Sequence, residues 1–123
     1  NFVYKIIDLA KSRPELKVVD DQVGAPTPTT AVAKAILCFL DKHPEGLYHF
    51  AADGYASRYE TARYIVRKLE LPAKVHPCKS SEFSTPAQRP LNSRFDCAKI
   101  DQVLNFERPH WYDALKEFLL KIN

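Results

Sequence analysis

Asp20-Asp21-Gln22-Val23-Gly24-Ala25-Pro26-Thr27-Pro28 is the stretch on which the reading of this 123-residue chain turns. It is built of turn formers, and its prolines fix φ and favour extended geometry in the residues before them. The segment is therefore a stiff polar loop, offering carboxylates, an amide, hydroxyls and the backbone N–H of Gly24. Upstream, residues 16–19 are a short strand candidate. Before that, Phe2, Val3, Ile6, Ile7 and Ala10 share one face at helical spacing until Pro14 ends the run. Downstream, Thr29 or Thr30 can cap a helix closing near Lys42, with a predicted apolar face of Val32, Ala33, Ile36, Leu37, Phe39 and Leu40.

Further along, residues 47–51 (Leu-Tyr-His-Phe-Ala) read as a buried strand and Asp53-Gly54 as a turn. Ser57 and Glu60 form S-x-x-E, the capping box of a helix predicted to run to residue 70 with Ala62, Ile65, Val66 and Leu69 inward. Residues 73–76 suggest another strand. Residues 78–94 are the longest irregular stretch, and long irregular loops in compact domains are often functional. Residues 94–97 read as extended and 98–104 as a short helix. Trp111, Ala114, Leu115, Phe118, Leu119 and Ile122 keep the spacing of an amphipathic helix started by Pro109. The sum is a mixed α/β lobe of helices and short strands, without repeats. With so few residues per strand, pairing partners are expected in another part of the protein.

The composition is that of a soluble globular domain, 46% hydrophobic and 27% charged. No run approaches the roughly 18 apolar residues of a membrane-spanning helix. The first 56 residues carry six basic and seven acidic groups and the remainder twelve and eight. A mildly basic second half suits an anionic small ligand and lacks the dense patch of a nucleic-acid binder. There is no Met, so the chain is expected to be a piece of a longer protein. Gly24, Gly46 and Gly54 cannot make the glycine-rich turn of a dinucleotide fold, which places the cofactor half outside this chain.

Cys38, Cys78 and Cys97 are too widely spaced for a redox or zinc pair and read as small hydrophobes; reduced thiols suit a cytoplasmic protein. The four histidines are scattered, without metal-ligand spacing. No nucleophile–base pair has local spacing, so no catalytic residue is expected here. Tyr64 and Lys68 match Y-x-x-x-K, but nothing in residues 1–63 resembles a nucleotide domain and the pair falls at the wrong place relative to the two loops, so the pattern reads as coincidence. A second stiff polar loop, Arg89-Pro90-Leu91-Asn92-Ser93-Arg94, is chemically suggestive. Arg89 and Arg94 could bind a phosphate bidentately, with Asn92 and Ser93 reaching a base or sugar.

Four motifs then fall into one order: Asp20-Asp21-Gln22-x-Gly24-Ala25-Pro26-Thr27, Gly46-Leu47-Tyr48-His49, Phe83-x-Thr85-Pro86-Ala87-x-Arg89-Pro90-x-Asn92-Ser93-Arg94, and Pro109-x-Trp111. Together they resemble, through the whole chain, the C-terminal part of the dTDP-4-dehydrorhamnose reductases, which are extended short-chain dehydrogenases. Asn1-Phe2-Val3 resembles the family segment soon after the catalytic Tyr and Lys. The resemblance implies a substrate-binding lobe lacking its Rossmann half, which would bind NADPH and carry both catalytic residues. It implies that the parent reduces the 4-keto group of dTDP-4-dehydro-L-rhamnose to give dTDP-L-rhamnose.

By the same resemblance Arg89 faces the dTDP pyrophosphate. Asn92, Ser93, Gln22, Gly24 and Thr27, and then Asn1, line the cleft. Some relatives form homodimers through a divalent ion held by Glu residues, for which no Glu is assigned here. The architecture also resembles the regulatory β-subunit of methionine adenosyltransferase, in which the Trp111 helix would be a partner surface. Epimerases and dehydratases of other nucleotide sugars share the scaffold as well.

Overall fold

The computed structural model describes residues 1–83 and 87–122. Thr85 and Pro86 of the third motif lie outside the described residues. The first helix, α1 (Phe2–Ser12), starts where the Asn1 side-chain oxygen accepts a hydrogen bond from the Val3 N–H at 2.9 Å, and it buries Ile6, Ile7 and Ala10. Strand β1 (Glu15–Val19) follows, with Leu16 and Val18 inward. It pairs in parallel with β4 (Lys74–Cys78), in register from Glu15 opposite Lys74 to Val19 opposite Cys78. Pro77, which cannot donate to a ladder, is tolerated because this sheet has two strands among the described residues and leaves β4 at an edge.

Across that sheet lies α3 (Arg58–Lys68). Its capping box forms as predicted: Ser57 Oγ accepts from the Glu60 N–H at 3.0 Å, and Glu60 Oε2 accepts from the Ser57 N–H at 2.7 Å. The main core joins α1, β1 and α3 to α5 (Trp111–Ile122), with Ile65 and Leu119 enclosed. The stripe read from α5 packs inward as expected, Leu115 and Leu119 fully and Trp111, Phe118 and Ile122 in part. Cys38, Cys78 and Cys97 are buried and unpaired.

The segment 20–28 is more ordered than a loop. Val23–Gly24 form β2, antiparallel to β3 (Ala56–Ser57). On its other side Val23 bridges Asn92 in parallel. The Val23 N–H donates to Leu91 O and the Ser93 N–H to Val23 O, each at 2.8 Å. The two polar stretches singled out in the sequence are thus laced together through one valine.

Three expectations need correction. Helix α2 (Thr29–Lys42) has Pro28 at its N-cap with no side-chain cap, so Thr29 and Thr30 stand in its first turn instead. It buries Ala31, Ala35 and Cys38, whereas Val32, Ile36, Leu37 and Leu40 face outward, Leu37 being 65% exposed. The small residues at i, i+4 and i+7 allow close approach to the rest of the lobe; the large ones join neither core cluster among the described residues. Residues 47–51 form no strand, and Leu47 is 75% exposed, because no neighbouring strand among the described residues receives their backbone groups. Only Ala51 of that run is buried, in a satellite core with Cys97 and Ile100. The helix expected over 98–104 shortens to α4 (Ala98–Asp101). Arg108 fastens this region, binding both Asp101 carboxylate oxygens at 2.6 and 3.0 Å and Ala51 O at 2.9 Å.

Candidate functional site

A cleft of about 1030 Å³ opens where the start of α1, the β2–α2 connection, the start of α3, residues 89–95 and the approach to α5 converge. Its volume suits a ligand of nucleotide-sugar size. Asn1, Gln22, Gly24, Thr27, Arg89 and Ser93 all line it. These side chains are far apart in sequence, and the β2 ladder is what gathers them.

The side chains differ in how free they are. Arg89 is exposed and makes no hydrogen bond or ion pair among the described residues. Its guanidinium is available. Thr27 is committed: its hydroxyl donates to Ala25 O at 2.9 Å and accepts from the Ala52 N–H at 3.1 Å, pinning the Pro-rich connection to residue 52. Asn1 uses its side-chain oxygen to cap α1. Gly24 lies in β2, where an added Cβ would meet Ser93 at an ordinary 3.6 Å, so neither backbone strain nor close packing requires a glycine there.

Asn92 stands beside the cleft and does not line it. Its side-chain oxygen accepts from the Arg94 N–H at 3.1 Å and from Arg94 Nε at 2.9 Å. This interaction corrects the expected Arg89–Arg94 clamp. Arg94 is turned onto the Tyr55 ring, 5.6 Å from its centroid, and does not line the cleft.

Sequence reading missed several cleft residues, among them Lys34, Arg58, Phe95 and Phe106. Arg58 follows the capping Ser57, a place where arginine normally reads as a solvated helix residue. It becomes a wall residue because its own N–H donates to Gln22 O at 3.2 Å, next to the β2–β3 ladder. No local pattern signals that.

Electrostatics at the foot of the cleft loop are set by Asp20 and Asp21. Asp21 accepts from the Ser80 N–H at 3.1 and 3.0 Å and from the Ser80 hydroxyl at 2.9 Å. The Ser80 backbone bond leads in holding its carboxyl below the usual range. Lys79 binds Asp20 at 2.8 Å, which raises the lysine's pKa. Both acidic residues therefore brace the loop from outside the cleft.

The chemistry on offer is binding. Among the described residues the cleft is lined by no histidine, cysteine or tyrosine. Tyr64 is 5% exposed within the main core, and burial, with the neighbouring Tyr112 hydroxyl second, pushes its pKa up to about 12. A phenol so reluctant to ionise does not suit acid–base work near neutrality, which agrees with reading Tyr64 and Lys68 as coincidence. The glycines do not fit a dinucleotide phosphate either. Gly46 and Gly54 sit in separate turns at φ 97° and 74°, and a Cβ on Gly54 would strike the His110 imidazole. No step is therefore assigned to a nicotinamide on this chain. No group of three or more His, Cys, Asp or Glu among the described residues could hold a metal ion.

The family model described as RmlD substrate binding domain matches residues 1–123. The chain belongs to this family. This RmlD substrate binding domain is 36% identical over 131 residues to the dTDP-4-dehydrorhamnose reductase of Escherichia coli, covering 97% of this chain and 44% of that protein. It is 34% identical over 119 residues to the spore coat polysaccharide biosynthesis protein SpsK of Bacillus subtilis, covering 97% of this chain and 41% of SpsK. The crystal structure of a dTDP-4-dehydrorhamnose reductase from Clostridium acetobutylicum superposes with a TM-score of 0.93 at 36% identity, covering 99% of this chain and 44% of that one. The reductase of Bacillus anthracis in complex with NADP gives a TM-score of 0.91 at 30% identity, covering 98% and 43%. The RmlD domain thus spans less than half the length of these relatives, and over that span its mixed α/β fold is theirs. The resemblance read from the four motifs holds.

Proposed function

We propose that this chain is the substrate-binding, C-terminal lobe of a dTDP-4-dehydrorhamnose reductase. In this reading a preceding Rossmann part supplies NADPH and the catalytic Tyr and Lys, and the lobe grips the dTDP-sugar. The observation that carries the reading is the convergence of Gln22, Gly24, Thr27, Ser93 and Arg89, which is unpaired among the described residues, on one cleft of nucleotide-sugar size. Arg89 would bind a diphosphate by charge-assisted hydrogen bonds. Gln22 and Ser93 would reach the base or sugar, and Thr27, Asn1 and Asn92 would hold the walls in place.

The two-part organisation has physical support. The outward stripe of α2 and the unpaired run 47–51 form an apolar helix face and a strand-like segment side by side in the chain, the usual components of a crossover onto a parallel sheet. A Rossmann sheet would cover the one and pair the other. The relatives from Escherichia coli and Sinorhizobium fredii are reductases, which favours the enzymatic reading over a partner-binding subunit. The Trp111 helix agrees, since its apolar stripe is spent on the core. Unpaired buried thiols suit a cytoplasmic enzyme, and no described helix is long and apolar enough to cross a membrane.

The test is Arg89→Ala in the full-length protein, assayed for NADPH-dependent reduction of dTDP-4-dehydrorhamnose. Losing one charge-assisted contact should raise KM by about ten- to a hundredfold, or about 1.5–3 kcal/mol. Wild-type kinetics in that variant would remove Arg89 from the site, and a wild-type protein without turnover would end the reductase reading.

A further inference from the structure

We infer that Arg58 is a second anion-binding residue of this cleft, contacting the phosphoryl groups of the nucleotide sugar alongside Arg89. The inference rests on the nucleotide-sugar reading above and extends it to a residue that neither the motifs nor the family resemblance assigns. Three observations carry it. First, Arg58 lines the same cleft as Arg89. Second, its guanidinium is already oriented: Nε donates to Gln22 Oε1 at 3.2 Å, and Cζ lies over the Phe2 ring, 5.2 Å from its centroid. Third, it is half-buried without a counter-ion. The cleft carboxylates Glu107, Asp113 and Glu117 belong to the α5 side, and no described carboxylate lies within ion-pair distance of Arg58.

A partly desolvated cation normally finds a carboxylate, because leaving it unpaired is costly. Here the contacts are a neutral amide and an aromatic face, which orient a guanidinium without neutralising it. The Nη groups make no hydrogen bond among the described residues, and they are the edge suited to bidentate phosphate contact. Gln22 acquires a second role. By holding Arg58 it links the β2 wall to the charge, so it acts on the anion as a positioning residue.

The experiment measures dTDP and thymidine binding to the full-length protein by calorimetry or competition, for wild type, Arg58→Gln and Arg58→Lys. If Arg58 meets phosphate, Arg58→Gln should weaken dTDP by about ten- to a hundredfold and leave thymidine unchanged. Arg58→Lys, which keeps the charge and loses the fork, should fall between. Equal loss of dTDP and thymidine would overturn the inference, because a residue that only holds the wall affects both. No loss of dTDP in a folded Arg58→Gln protein would overturn it too. Should Arg58→Gln fail to fold, Arg58→Lys decides, and unchanged dTDP affinity there together with an unchanged salt dependence counts against the contact. Failure of wild-type protein to bind dTDP would instead strike the nucleotide-sugar reading. Inorganic pyrophosphate then tests the anion site alone, supporting it if binding is lost with Arg58→Gln and refuting it otherwise.

Discussion

Tyr64 shows how a residue can match a catalytic pattern and be excluded by its surroundings. Its ring packs against Tyr112 at 4.3 Å and Trp111 at 6.2 Å, and its buried hydroxyl meets no partner with hydrogen-bond geometry among the described residues. Removing an oxygen that gains little from folding costs little, so Tyr64→Phe should stay within about 1 kcal/mol of wild type in denaturant unfolding. Its effect should appear at alkaline pH. The folded chain holds the Tyr64 proton up to about 12, against 10.0 for an unperturbed phenol. That contribution to stability is complete below pH 10 and is lost as pH rises from 10 towards about 12. Tyr64→Phe should therefore flatten the fall in unfolding free energy across that window while leaving turnover by the proposed full-length reductase unchanged. A steep loss of turnover would place Tyr64 in the chemistry after all.

Among the elements, α3 is the one its sequence specifies most completely. Ser57→Ala removes the acceptor for the Glu60 N–H and should cost about 1 kcal/mol in thermal or urea unfolding, with Ser57→Asp restoring most of it. Caps, periodic apolar faces and Pro or Gly stops are local signals, and α1, α3, α5, β1 and β4 were legible from them. The two segments that form the cleft wall were singled out too, with Gln22, Gly24, Thr27, Arg89 and Ser93 on them, because stiff polar segments and family motifs coincide there. Arg58 was not, since its place in the wall depends on a ladder formed by residues distant in sequence. The face of α2 was misread for a related reason. Helical spacing reports that Val32, Ile36, Leu37 and Leu40 share a side, but not which surface meets that side. The run 47–51 has strand composition and lacks, within the described residues, the neighbour that would make it one.

For the whole molecule, the outward stripe of α2 should govern behaviour more than any single core contact. A lobe presenting Ile36, Leu37 and Leu40 to water should self-associate when produced alone. Replacing Leu37 and Leu40 with Lys should yield a more monomeric isolated lobe by light scattering, while the same change in the full-length protein should lower its melting temperature. A rise in melting temperature there would mean that nothing covers the stripe. The lacing of Val23 to residues 56–57 on one side and 91–93 on the other has its own consequence for affinity. Whichever wall first meets the ligand, the opposite one is already held, so the entropy of ordering is lost once and not twice. Disturbances should travel by the same route: loosening at Gln22 will be felt at Ser93, and the two changes made together will fall short of the sum of their separate effects.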